Sequence, residues 1–341
     1  MNPSTTRSTV SDADDAILPE NGQLSASAAA ILSRFPRILL KAAAIKNRET
    51  TQAEQEASNQ RQRLPGISDE ERAIPNHLAR SSLFAPIRRG RRLRHDRTEL
   101  ASRSDVRILF SGLQLDEADR DVFMQLLFEA QAVPLGDRVY IVRSRFLRAI
   151  GRQTGKHDYG WLHESFARLF NASLFIETKR YRLGKDSKCV EDWMHLIDRV
   201  RFDDGEDTYY FEIDPRIAQL FSNSEFALIE WQKRLQITNQ ANMAKWLQCL
   251  VATSRDRVQR YRVTELMKWM AYQGRERDFR VALLSALGEL ARLEIISDQR
   301  IEPGTKGIPL AVWTKLPGPR DKIARPSGWD RFKSGLDRPS S

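Results

Sequence analysis

The chain has 341 residues, with 55 Lys+Arg against 45 Asp+Glu and a formal charge of +10. That length holds two ordinary cores with flexible ends, and the charge favours a polyanionic partner through counterion release. The longest apolar stretch, Ala28 to Leu40, is broken by Arg34, Pro36 and Arg37, so no transmembrane helix or secretory signal is expected. Cys189 and Cys249 are the two cysteines, too few for a disulfide framework, and a reducing, cytoplasmic setting is expected.

Residues 1–74 are rich in Ser, Thr, Ala, Gln and Glu with almost no aromatics, which predicts disorder, with a transient helix over Arg37 to Arg63. Residues 75–98 read as a basic linker containing Arg88, Arg89, Arg91, Arg92, Arg94 and Arg97. A first folded region is expected over 99–224. It opens with a strand, Arg107 to Ser111, then a helix over Leu115 to Ala132 carrying Phe123, Leu127 and Ala130 at helical spacing. A short strand, Arg138 to Val142, leads to a helix from Ser144 to Ile150 stopped by Gly151. A second helix runs from Asp158 with Leu162, Phe166, Leu169 and Phe170 on one stripe. Leu196 to Phe202 and Thr208 to Ile213 flank Asp203 to Asp207, the composition of a β-hairpin turn.

The pattern recurs over 225–317. A long helical stretch is predicted from Glu225 to Ser254, then a strand near Tyr261, a helix from Thr264 to Met270 and a helix from Arg275 to Arg292. Glu294 to Ser297 and Ile308 to Thr314 are expected to pair as a second hairpin. Residues 318–341 read as a flexible tail. The expected fold class is α+β: two tandem winged-helix domains, each a helix-turn-helix plus a β-hairpin, behind a disordered N-terminal region.

No enzyme constellation emerges, and no cofactor or metal is expected. The run Gly151 to His157 looks like a phosphate-binding loop but has three residues between its glycines, a His after the lysine, and a helix before it. The histidines at 77, 95, 157, 163 and 195 do not form the paired arrangement of a metal-dependent nickase, and Cys189 with His195 lacks further ligands. What remains is recognition of double-stranded DNA by the second helix of each pair. The candidate contacts are Arg152, Gln153, Lys156, His157, Tyr159 and His163 in the first domain, and Arg275, Arg277 and Arg280 in the second. Cations at a helix start oppose its dipole by about 0.3 to 1 kcal/mol each, so folding alone would not place them there.

Over Ala73 to Thr314 the chain resembles the TrfA family of plasmid replication initiators. Ile74 to Phe84 (IPNHLARSSLF) is similar to the family's Pro-Asn-x-x-Ala-Arg-Ser-x-Leu-Phe signature. Ser111 to Leu115, the acidic run Asp116 to Asp121, the Gly151 turn with Trp161 to Leu169, and Phe226 to Leu235 follow in matching order. The resemblance implies binding to direct repeats (iterons) at a plasmid origin, opening of a neighbouring AT-rich element, and copy control through a monomer–dimer equilibrium using the first domain. It also implies the host replicative helicase and the sliding clamp as partners. It places Lys156, His157 and Tyr159 at the start of the first recognition helix, and Arg275, Arg277 and Arg280 at the start of the second. The family's clamp-binding peptide is not intact, Gln60 to Pro65 being the candidate. A winged-helix regulator acting on a promoter, including an autorepressor, is the alternative. A third is a structural or partitioning protein that binds DNA by charge alone.

Overall fold

A computed structural model describes residues 63–87, 92–183, 193–238, 241–304 and 307–318. The disorder expected over 1–62, the tail beyond 318, the helix from Arg37, the first half of the clamp-peptide candidate (60–62), residues 88–91 and Cys189 lie outside those residues.

The chain joins a core earlier than expected. Leu64 and Ile67 are already buried, and β1 (Glu71–Pro75) is buried along its whole length. It pairs antiparallel with β12 (Phe226–Glu230), Ile74 lying opposite Ala227. Next come α1 (Asn76–Ala79), which buries Leu78 and Ala79, and β2 (Phe84–Ala85), which pairs in parallel with β5 (Leu115–Asp116). β3 (Arg94–Leu100) then pairs with β4 (Val106–Leu113). The segment expected to be a linker is therefore structured on both sides of residues 88–91, and the boundary at residue 74 cuts through a strand. Such short elements carry no periodicity, and the partner of β1 lies some 150 residues downstream, beyond any local pattern.

β4 is followed by α2 (Glu117–Ala130), whose start is fixed by a capping box between Asp116 and Asp119. From there one sequence of elements occurs twice. In the first repeat α2 leads to β6 (Val139–Val142), α3 (Arg143–Ala149), α4 (Lys156–Phe170), β10 (Arg199–Asp203) and β11 (Thr208–Glu212). The strands form an antiparallel sheet of order β10–β11–β6. Between α4 and β10 sit β7 (Ser173–Thr178), which completes the sheet on β4, and the short β8 (Arg182–Leu183) and β9 (Met194–His195). After β11 comes α5 (Ile217–Leu220).

In the second repeat α7 (Asn242–Thr253) leads to β13 (Val258–Arg262), α8 (Val263–Trp269), α9 (Glu276–Arg292), β14 (Ile296–Pro303) and β15 (Pro309–Lys315). The sheet order is β13–β15–β14. In both repeats the strand before the helix pair bonds the last strand of the hairpin. The mixed α+β class agrees with the sequence expectation.

The long helix expected over Glu225 to Ser254 is instead β12, α6 (Trp231–Gln236) and α7. Ala227 and Ile229 alternate inward, but the surrounding residues are also apolar and hide that period of two. Pairing with β1 decides the conformation.

Ala227, Ile229 and Trp231 pack in the first core, together with Cys249 of α7, whereas the second core starts at Ile237. The boundary expected at 224 therefore falls after α6. The join between the cores is ionic. Arg234 of α6 is fully buried and donates from Nε to Asp121 (2.6 Å), from Nη2 to Glu117 (2.8 Å) and from Nη1 to the Lys245 carbonyl (2.6 Å). Lys245 Nζ also donates to Asp121 at 2.6 Å. Burial alone would push the Asp121 carboxyl up, but Arg234 and Lys245 hold it below its usual range. Burial wins at Glu117, whose pKa is raised against the pull of Arg120 and Arg234.

Candidate nucleic-acid interface

The two helix pairs turn in the same way. After α3, Gly151 takes φ 71°, Gly151 N–H donates to Arg148 O (3.0 Å) and Arg152 N–H to Leu147 O (2.9 Å). After α8, Ala271 takes φ 50°, Ala271 N–H donates to Lys268 O and Tyr272 N–H to Met267 O, both at 3.0 Å. Glycine is the ordinary residue for this left-handed position. At Gly151 it also leaves room, since a Cβ there would come within 3.1 Å of Leu235. The glycine run that looks like a phosphate loop is thus the turn of a helix pair.

Each second helix starts without a side-chain cap, at Gly155 for α4 and Arg275 for α9. The amides of these first turns are consequently available to an anion. Behind them, α4 is held by Leu162, Phe166 and Leu169, and α9 by Phe279, Leu283, Leu287 and Leu290. Each such side chain contributes about 1.5 to 3 kcal/mol on burial, so both outer faces are carried on well-anchored supports.

The residues expected to face DNA from α4 divide into two groups. Gln153 and Lys156 are exposed, and neither has a partner among the described residues. His157 is exposed too and lines a cavity of about 330 Å³ that also meets Arg92, Asp121, Arg168 and Lys245. The others are engaged within the protein. Arg152 donates from Nη1 to Asp158 (2.9 Å) and its guanidinium lies 3.3 Å from the centre of the Trp161 ring. Tyr159 is covered by the Arg143 guanidinium, 3.8 Å from its ring centre, and Arg143 also pairs with Asp207 at the hairpin tip. His163 is exposed, with its Nδ1 3.2 Å from the Tyr209 hydroxyl. Burial pushes that hydroxyl up to about 12, so it keeps its proton and can donate to the imidazole.

On α9 the three expected residues stand apart from all this. Arg275, Arg277 and Arg280 are exposed, and among the described residues none of their side chains has an ion-pair, hydrogen-bond or ring partner. Glu276 and Asp278 stand among them in the first turn; these carboxylates favour the positive end of the helix dipole and offset the cost of the arginines. The helix dipole alone therefore does not single these arginines out. What does so is that three guanidinium groups on one exposed helix start have no partner among the described residues.

Three features on these faces escaped the sequence reading. Val281 is 67% and Leu284 44% exposed, continuing the Arg277 and Arg280 side of α9. The apolar period of the helix marks Leu283 and Leu287 as core, and Val281 and Leu284 stand out only once that stripe is subtracted. Gly160 sits inside α4 on its exposed side, with open space where a Cβ would project. An interior helical glycine costs about 0.5 to 1 kcal/mol relative to alanine, and no packing constraint here requires it.

Among the described residues no group of three or more His, Cys, Asp or Glu could hold a metal ion, and no helix is long and apolar enough to cross a membrane. No curated protein matches the chain. Among solved structures, a crystal structure of RctB domains 2–3 is 12% identical, with a TM-score of 0.43 over 69% of this chain and 95% of that one. A crystal structure of selenomethionine derivatives of RctB domain 2 and domain 3 is 13% identical, with a TM-score of 0.45 over 71% and 98%. The TrfA protein family matches residues 40–273. That span takes in β1, the Pro-Asn segment, the whole first repeat and the second as far as the turn before α9. On this match, covering well over half its length, the chain belongs to the TrfA protein family, a family of plasmid replication initiators.

Proposed function

We propose that this chain starts plasmid replication in the cytoplasm by binding direct repeats, or iterons, in double-stranded origin DNA. In this reading each repeat of elements is a winged helix, with α4 and α9 entering successive major grooves and the β10–β11 and β14–β15 hairpins as wings. Binding opens a neighbouring AT-rich element and brings in the host helicase, while a dimer through the first winged helix withholds active monomers. The protein has no catalytic role of its own.

The observation that carries the reading is the unpartnered trio Arg275, Arg277 and Arg280 on the exposed start of α9. A planar guanidinium matches the O6 and N7 acceptors of guanine, and a desolvated pair of this kind discriminates by about 1 to 3 kcal/mol. Two unlike helices in one chain also fit a direct repeat better than a palindrome, whose symmetry calls for a symmetric dimer.

Arg277→Ala should cost about 1 to 3 kcal/mol of affinity for the cognate repeat and much less on random duplex, measured by titration of labelled DNA at fixed salt. Equal loss on both would make it a phosphate contact. Permanganate reactivity of thymines beside the bound repeats separates initiation from simple repression. An initiator exposes them, and a repressor leaves them stacked.

A further inference from the structure

We infer that α9 reads thymine as well as guanine, by setting the side chains of Val281 and Leu284 against thymine 5-methyl groups in the major groove. The inference rests on the DNA reading of α9 given above and adds the base that its apolar face selects.

Val281 is 67% exposed and Leu284 44%, on a helix whose core stripe, Phe279, Leu283, Leu287 and Leu290, is complete without them. Val281 follows Arg277 by four residues and Leu284 follows Arg280 by four, so each aliphatic side chain sits one turn beyond an unpartnered arginine on the same side. Four helical residues rise about 6 Å, close to two base-pair steps, so the spacing suits an arginine on one base and a methyl contact about two pairs away. The major groove admits a single α-helix, and the thymine methyl is the apolar group displayed on its floor. A protein-docking patch of comparable strength would centre on aromatic anchors, and the described residues of the α9 outer face have none. Arginines beside it suit a polyanion.

The test uses the full chain and a duplex it selects from a random-sequence pool, resynthesised with deoxyuridine for thymidine so that only methyl groups are lost. The unaltered protein should bind the uracil duplex more weakly, by about fourfold for each buried methyl contact. With both contacts present the unaltered protein loses about sixteenfold on uracil; Val281→Ala should bind the thymine duplex about fourfold more weakly and lose only a further fourfold on uracil, the share of the Leu284 contact, with Leu284→Ala behaving alike at its own position. Both sites are on the surface, so unchanged thermal unfolding checks that the fold is intact. Equal binding to the two duplexes, or a uracil penalty undiminished in both variants, overturns the inference. If Arg277→Ala still abolishes selectivity in that case, the DNA reading of α9 survives without it. If Arg277→Ala, Val281→Ala and Leu284→Ala all bind the selected duplex like the unaltered protein, α9 faces something other than DNA and both readings fall.

Discussion

The two helix pairs are built to the same measure and used differently. Helix α3 spans residues 143–149 and α8 spans 263–269, and the second helices are capped by Gly155 and Arg275, so equivalent positions lie 120 residues apart. Asp158 corresponds to Asp278, Gly160 to Arg280 and Arg152 to Tyr272. In the first repeat Arg152 holds Asp158 and lies on Trp161. In the second, Tyr272 packs edge-on against Phe279, 5.0 Å between ring centres, and can neutralise no carboxylate. The exchange thus ties Asp158 to Arg152 in the first repeat, whereas Tyr272 offers Asp278 no such cation in the second. Equal backbone geometry does not imply equal contact chemistry, and in the function proposed above the second repeat carries more of the discrimination between bases.

Three experiments would break or sharpen this contrast. The largest effect is expected from Arg234→Met, which leaves Asp121, Glu117 and Lys245 without their central partner. Losing one side of a buried ion group costs about 3 to 5 kcal/mol, readable by urea denaturation. If the repeats were independent units, only part of the structure would shift; the shared network predicts that probes in both repeats shift together.

A smaller effect, about 1 kcal/mol of stability, is expected for Arg152→Ala, since its ion pair is partly exposed and screened while its stacking on Trp161 is not. Discrimination between cognate and random DNA should change far less than for Arg277→Ala. A selective loss of cognate binding with unchanged thermal stability would reverse the assignment of roles to the two residues.

The smallest is Gly160→Ala, expected to raise stability by about 0.5 to 1 kcal/mol because alanine suits a helix interior and nothing obstructs its methyl. If α4 nevertheless lies close to DNA at this point, affinity should fall as melting temperature rises. A gain in stability with no change in affinity would mean that the first repeat does not bring this face to the duplex.

Most of the repeated unit could be read from local pattern, because its helices carry full apolar stripes and the first hairpin's Asp203 to Asp207 turn is compositionally plain. The site arginines of α9 were legible as charges on a helix start. Their freedom was not, since it depends on which side chains neighbouring segments bring near them in space. The scaffold around the first repeat was least legible. β1, β3 and β7 gain their conformation from partners on other segments, and Phe226 to Glu230 reads as helix until Glu71 to Pro75 lies beside it. Arg152 and Tyr159 illustrate the same limit in the site, because a polar residue on a helix's outer side looks available until its neighbours in space are known.

The pairing of β1 with β12 also constrains the order of assembly. A strand at residues 71–75 finds its partner only when residues 226–230 exist, and the first core further includes Cys249 on α7. During synthesis most of the first repeat is therefore made well before its core can close. Contacts of such long sequence separation slow folding and leave apolar surface exposed in the meantime. Truncation after the first hairpin would then yield a chain with an unpaired β1 and an open core, prone to aggregate despite containing a whole helix pair. The tandem halves share one folding event, which keeps a solitary half from accumulating.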